Sequence, residues 1–171
     1  MSTKTGLCIG GCLLLGLAGA AFLLWQPLTV VRVALPAQEG RIADSVWADP
    51  DELLRMKYIH SVERTPVEGW FAIAEREGFR AVKTKTTGTG TGLPNVARGR
   101  DVKTEGKWLV IDEGGTYYPQ IPFYYHSLNE LRILVGDERV ELEGVPDGSR
   151  LKITSKTQTA WKWIVSGNFL F

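Results

Sequence analysis

The chain contains only two cysteines and two histidines in 171 residues, and it has no excess of charge of either sign. Each shortage excludes something. Both cysteines, Cys8 and Cys12, fall inside the first apolar run, so residues 27–171 have none to cross-link and must be held by a packed core, which a segment of that length can form. With 20 Lys and Arg against 19 Asp and Glu, the formal charge is +1 at pH 7, and Lys4 is the only charged residue before Arg32. The remainder is therefore neutral, which argues against a protein that grips nucleic acid by neutralising phosphates. The length excludes a multidomain enzyme. Plentiful bulky apolar residues exclude disorder, and 19 glycines without a fixed period exclude collagen.

What is present begins with an apolar segment. From Gly6 to Trp25 twenty consecutive residues carry no charge, and Gln26-Pro27 ends the run. That length crosses roughly 30 Å of hydrocarbon as a helix. Two readings fit: an uncleaved anchor with Trp25 at the interface, or a secretory signal cleaved after Ala20 in Ala18-Gly19-Ala20. Both export residues 27–171, and the short amino-terminal tail favours a single pass through the inner (plasma) membrane with the domain outside, in the periplasm. Cys8, Cys12, Gly16 and Ala20 recur every four residues and form a ridge of small side chains on which another membrane helix could pack. Small residues are also simply common in membrane helices.

The chain thus divides into an anchor or signal, 1–26, and an extracytoplasmic domain, 27–171. In the domain, apolar and polar residues alternate over short windows punctuated by Gly, Pro and Asp, and no window sustains a helical period. The pattern predicts an all-β domain, an antiparallel β-sandwich. Strands are expected at Leu28–Leu35, Leu53–Val62, Val67–Arg76, Phe79–Thr86, Lys107–Asp112, Leu131–Val135, Arg139–Leu142, Arg150–Ser155 and Thr159–Val165, with a brief helix at Asp49–Arg55 capped by Asp49. Pro119 and Pro122 confine the aromatic stretch Tyr117–Tyr125 to an edge strand or a long loop. Charge is segregated along the chain, basic from Arg76 to Lys107 and acidic from Asp112 to Asp147, and interleaving of antiparallel strands is expected to erase the contrast.

The two histidines sit in similar settings, Tyr58-Ile59-His60-Ser61 and Tyr124-Tyr125-His126-Ser127. Adjacent residues on a strand point to opposite faces, so His60 does not activate Ser61. There is no Gly-x-Ser-x-Gly elbow either. Leu54, Met56, Tyr58, His60 and Val62 share one face of their strand, which makes His60 a core histidine bonded to backbone or carboxylate. A metal site built from His60, His126 and Glu68 lacks the close histidine pair that would support it. No catalytic residue, metal or cofactor is expected. Thr87-Gly88-Thr89-Gly90-Thr91-Gly92-Leu93-Pro94 is a Gly-rich loop whose amides can cradle an anion, with Arg98 and Arg100 near enough in sequence to add charge, or else a plain connection.

Tyr58-Ile59-His60-Ser61-Val62-Glu63-Arg64-Thr65-Pro66-Val67-Glu68, followed by Trp70 and by Gly90-Thr91-Gly92-Leu93-Pro94, resembles the hallmark of a small bacterial family, domain of unknown function eighteen-fifty. Thr91 departs from the alanine common at that place. The resemblance implies a gene beside the fused membrane component and the binding protein of TAXI-type TRAP transporters, which import organic acids with an ion gradient. It thereby implies an accessory subunit whose partners are that membrane component, its substrate-binding protein and the lipid bilayer. Tyr58, His60, Ser61, Glu63, Pro66, Gly90, Gly92 and Pro94 would form a contact region. The alternative is an independent extracytoplasmic module that binds a small anion through the Gly-rich loop, Arg98 and Arg100.

Overall fold

The computed structural model describes residues 16, 19, 21–49, 51–75, 77–88 and 101–165, with Trp163 described by its backbone only. The chain separates into two compact units, one of residues 1–28 with 158–171 and one of residues 29–157.

Antiparallel β-structure dominates the described residues. The strands are β1 (Pro27–Leu35), β2 (Arg41–Ala48), β3 (Leu53–Ile59), β4 (Pro66–Ile73), β5 (Phe79–Thr86), β6 (Val102–Glu105), β7 (Trp108–Asp112), β8 (Tyr117–Tyr118), β9 (Ile121–Tyr124), β10 (Arg132–Val135), β11 (Glu138–Arg139) and β12 (Arg150–Thr159). They form a four-stranded sheet in the order β2-β1-β12-β9 and an eight-stranded sheet in the order β11-β10-β3-β4-β5-β7-β6, with β8 paired to β5.

Alternation explains why the two sheets meet. Val31, Val33 and Leu35 of β1, Val46 of β2, and Leu151 and Ile153 of β12 enter one core with Leu54 and Met56 of β3, Phe79 of β5, and Ile133 and Val135 of β10. Residues two apart on a strand share a face, so each strand contributes a row of apolar side chains to the same interior. Two sheets with one core between them are consistent with a sandwich. In β5 the register skips Val82, since Trp70 pairs with Lys83 while Phe71 pairs with Ala81. This bulge sets Phe79 and Ala81 back on the buried side.

The Phe79–Thr86 strand forms as expected, and Ile121–Tyr124 is an edge strand as its prolines require. Other expectations are corrected. β3 stops at Ile59, because the backbone N–H of His60 turns to donate to the carbonyl of Thr65 at 2.8 Å. Strands β2 and β6 were not anticipated, because neither Arg41–Ala48 nor Val102–Glu105 carries a clean apolar alternation. The expected helix at Asp49–Arg55 is absent. Asp51 takes a left-handed φ of 72°, and Leu53 already begins β3. The expected break between two last strands is also absent, since β12 runs unbroken to Thr159, and Ala160–Val165 is helical rather than extended.

In the first unit, residues 21–25 are helical, and Gln26 accepts from the backbone N–H of Ala160 at 3.1 Å. Thr159 Oγ1 accepts from the N–H of Lys162 at 3.4 Å, a cap that favours the helical turn. Among the described residues no helix is long and apolar enough to cross a membrane. Most of the Gly6–Trp25 run, including Cys8, Cys12 and Ala20 of the small-residue ridge, lies outside them, while Gly16 is helical.

Candidate functional site

The hairpin joining β3 to β4 gathers Tyr58, His60, Ser61, Glu63 and Pro66. Besides the His60–Thr65 bond, the N–H of Arg64 donates to the carbonyl of His60 at 2.9 Å, and Arg64 adopts a left-handed φ of 52°. His60 Nδ1 accepts from the N–H of Glu63 at 3.2 Å. An acceptor nitrogen is unprotonated, so the ring serves as a cap on a tight turn. His60 thus bonds to backbone as expected, but from a half-buried turn and not from the core. The tip it braces is open: Ser61, Val62, Glu63 and Arg64 are exposed, Val62 by 70%. Tyr58 closes the base, its ring edge-on to Phe123 of β9 at 5.1 Å, and burial pushes its hydroxyl pKa up. Pro66 opens β4 opposite Ile59. A Cβ added to Gly88 would come within 3.0 Å of Thr65, so the start of the Gly-rich stretch lies against this hairpin. Gly90, Gly92, Pro94, Arg98 and Arg100 lie outside the described residues.

The second histidine repeats the device. His126 Nδ1 accepts from the N–H of Leu128 at 3.3 Å and caps a short 3-10 turn, Ser127–Asn129. In both turns the residue four places after the histidine is left-handed, Arg64 in one and Glu130 in the other. The echo in sequence is thus a shared turn. Here a carboxylate joins: Asp147 accepts from both the N–H (2.6 Å) and the hydroxyl (2.9 Å) of Ser127, and lies 3.5 Å from His126 Nδ1. The two Ser127 bonds, with a smaller contribution from His126, hold its carboxyl below the usual range. The hydroxyl proton therefore points at the carboxylate, whereas a hydrolytic triad places the imidazole between serine and acid. Nothing in the sequence flagged Asp147, because its partners are twenty residues away.

A third feature emerges only on assembly. Strands β1 to β12 carry thirteen Lys and Arg against five Asp and Glu, so most of the acidic residues lie between strands. Among the described residues the strands are basic and the connections between them acidic. On the outer face of the larger sheet the register aligns Arg139, Leu134, Arg55, Trp70, Lys83 and Asp112 in one row. A neighbouring row runs Arg132, Lys57, Glu68, Lys85, Val110 and Lys103. Glu68 is neutralised by Lys57 at 3.0 Å, and Lys85 bonds Glu105 at 2.7 Å, holding that carboxyl below its ordinary range. Lys83 stacks 4.5 Å over the Trp70 ring. Arg55 Nε is buried with no hydrogen-bond partner. Alternation along β3 puts Arg55 and Lys57 on one face, and strand pairing alone sets the other cations beside them.

Among the described residues no group of three or more His, Cys, Asp or Glu is placed to hold a metal. A shallow cleft of about 340 Å³ lies between Leu35, Ala37, Gln38, Tyr124, Asp147 and Arg150.

These features define a β-domain of two antiparallel sheets, marked by a histidine-capped hairpin. Domain of unknown function (DUF1850) matches residues 54–142, from β3 to just past β11, and the chain belongs to that family. No curated protein and no solved structure is significantly similar.

Proposed function

We propose that the chain is a membrane-anchored accessory subunit of a TAXI-type TRAP (organic acid) transporter, a β-sandwich held on one amino-terminal membrane helix with its domain outside. It docks on the transporter's membrane component, on the substrate-binding protein, or on both. The chief support is the hairpin tip. His60 spends its Nδ1 on the turn, and the braced tip presents Val62, a bare aliphatic side chain, between Ser61 and Glu63. A rigid exposed apolar tip loses little entropy on association, which suits contact better than chemistry. The uncharged run from Gly6 to Trp25 supports the anchor, and the family resemblance supplies the transporter.

The test is affinity purification of the membrane component in mild detergent. The native chain is expected to co-purify, and Val62→Asp to lose at least about tenfold of the recovery while keeping its unfolding midpoint; absence of the native chain from the complex sinks the reading. A second reading, an independent anion-binding module, draws support from the cleft beside Arg150. Calorimetric titration of the full chain with organic acids separates it from the first.

A further inference from the structure

We propose that the outer face of the eight-stranded sheet is a docking surface for an anionic phospholipid bilayer. The face spans seven strands, about 29 Å at the usual strand spacing. Its two rows hold seven cations and two carboxylates; Lys57 is paired with Glu68 and Lys85 with Glu105, which leaves Arg55, Lys83, Lys103, Arg132 and Arg139 against Asp112. This is a field of positive charge on a domain with no net charge, so its partner is anionic.

The composition of the face selects the kind of anion. Protein interfaces are depleted of lysine and place aromatic and apolar side chains at their centre. Here lysines 57, 83 and 85 occupy the middle strands, and Trp70 is the central aromatic, lying under Lys83. Mobile headgroups can adjust to cations spread over such a width, whereas a rigid protein would need matching carboxylates at each. Basic residues held near a bilayer surface are attracted to acidic lipid. Trp70 has the amphipathic ring found at headgroup level. In sequence, only Gln26 separates the uncharged run from Pro27 of β1.

The proposal rests on the anchored reading, and lysine footprinting tests the two separately. The full chain is incorporated into nanodiscs of phosphatidylcholine alone or with phosphatidylglycerol, and each lysine's acetylation rate is read by mass spectrometry. Lys83, Lys85 and Lys103 are expected to react at least about fivefold more slowly in the anionic discs, while Lys152 and Lys156 of the other sheet are unchanged. Protection should vanish at about 1 M salt, where the screening length falls to about 3 Å. Arg132→Glu combined with Arg139→Glu, two exposed positions, should reduce it at low salt. Equal rates in the two discs overturn the proposal, as does protection in neutral discs, which would mean a protein partner or a second copy. Failure to incorporate into either disc overturns the anchored reading and this proposal with it.

Discussion

A single nitrogen decides what His60 does. Because Nδ1 accepts the Glu63 N–H, the imidazole behaves as asparagine or aspartate does at a cap, satisfying a donor that an exposed tip leaves without a backbone partner. His60→Ala is expected to cost about 1 kcal/mol, and His60→Asn, which keeps an acceptor, only a few tenths, measured by urea denaturation. Equal losses in the two variants would show that the ring acts by packing instead. Asp147 works through charge. Its folded pKa is depressed, so the contribution of its Ser127 bonds is complete above the ordinary carboxylate value of about 3.9 and fades as pH falls through the lower folded value. The Ser127 amide should therefore exchange with solvent faster in that acid window. Asp147→Asn should raise its exchange at neutral pH and flatten the pH dependence.

Among the elements, the turn between β4 and β5 ties the two sheets together. The carbonyl of Gly78 accepts from Ala74 N–H at 3.0 Å and from Ser155 Oγ of β12 at 2.7 Å, and Glu77 bridges to Lys156. Gly78 has φ +80°, and a Cβ there would lie 2.7 Å from the Tyr118 carbonyl. Gly78→Ala should thus cost about 2–4 kcal/mol, from backbone strain and displaced neighbours together. Gly106 is the control: its φ is +61°, but a Cβ would meet nothing within 4 Å, so Gly106→Ala should cost about 1 kcal/mol. Near-equal losses in a denaturant titration would refute the close approach at Gly78. The helix at Ala160–Val165 shows the opposite balance, in which local capping by Thr159 overrides the alternation of Trp161 and Trp163 that reads as a strand. Over six residues period 2 and period 3.6 barely differ, so the end contacts decide.

For the molecule as a whole, stability rests on the shared interior and not on surface charge. Phe79 is fully buried, and Phe79→Ala is expected to cost about 3–5 kcal/mol by urea unfolding. Breaking the Lys57–Glu68 pair with Glu68→Gln should cost about 0–1 kcal/mol, since both side chains are partly exposed. Reductant should leave the unfolding midpoint unchanged, because the only cysteines are Cys8 and Cys12 in the apolar run. A larger effect of Glu68→Gln than of Phe79→Ala would mean that the outer face, and not the core, holds the sheets in place.

Local pattern alone fixed the β class, the buried row Leu54-Met56, the edge position of the proline-bearing strand, and the family signature across the β3–β4 hairpin. These depend on which face a residue takes and on which dihedrals it tolerates, properties carried by neighbours in the chain. The tertiary structure decided the rest: that the histidines cap turns, that Asp147 meets Ser127, that Gly78 joins the sheets, and that cations from several strands line up on one face. Each of those requires partners far apart in sequence or a particular hydrogen bond among several open to the same residue, and only the pairing order and register of the strands select among them.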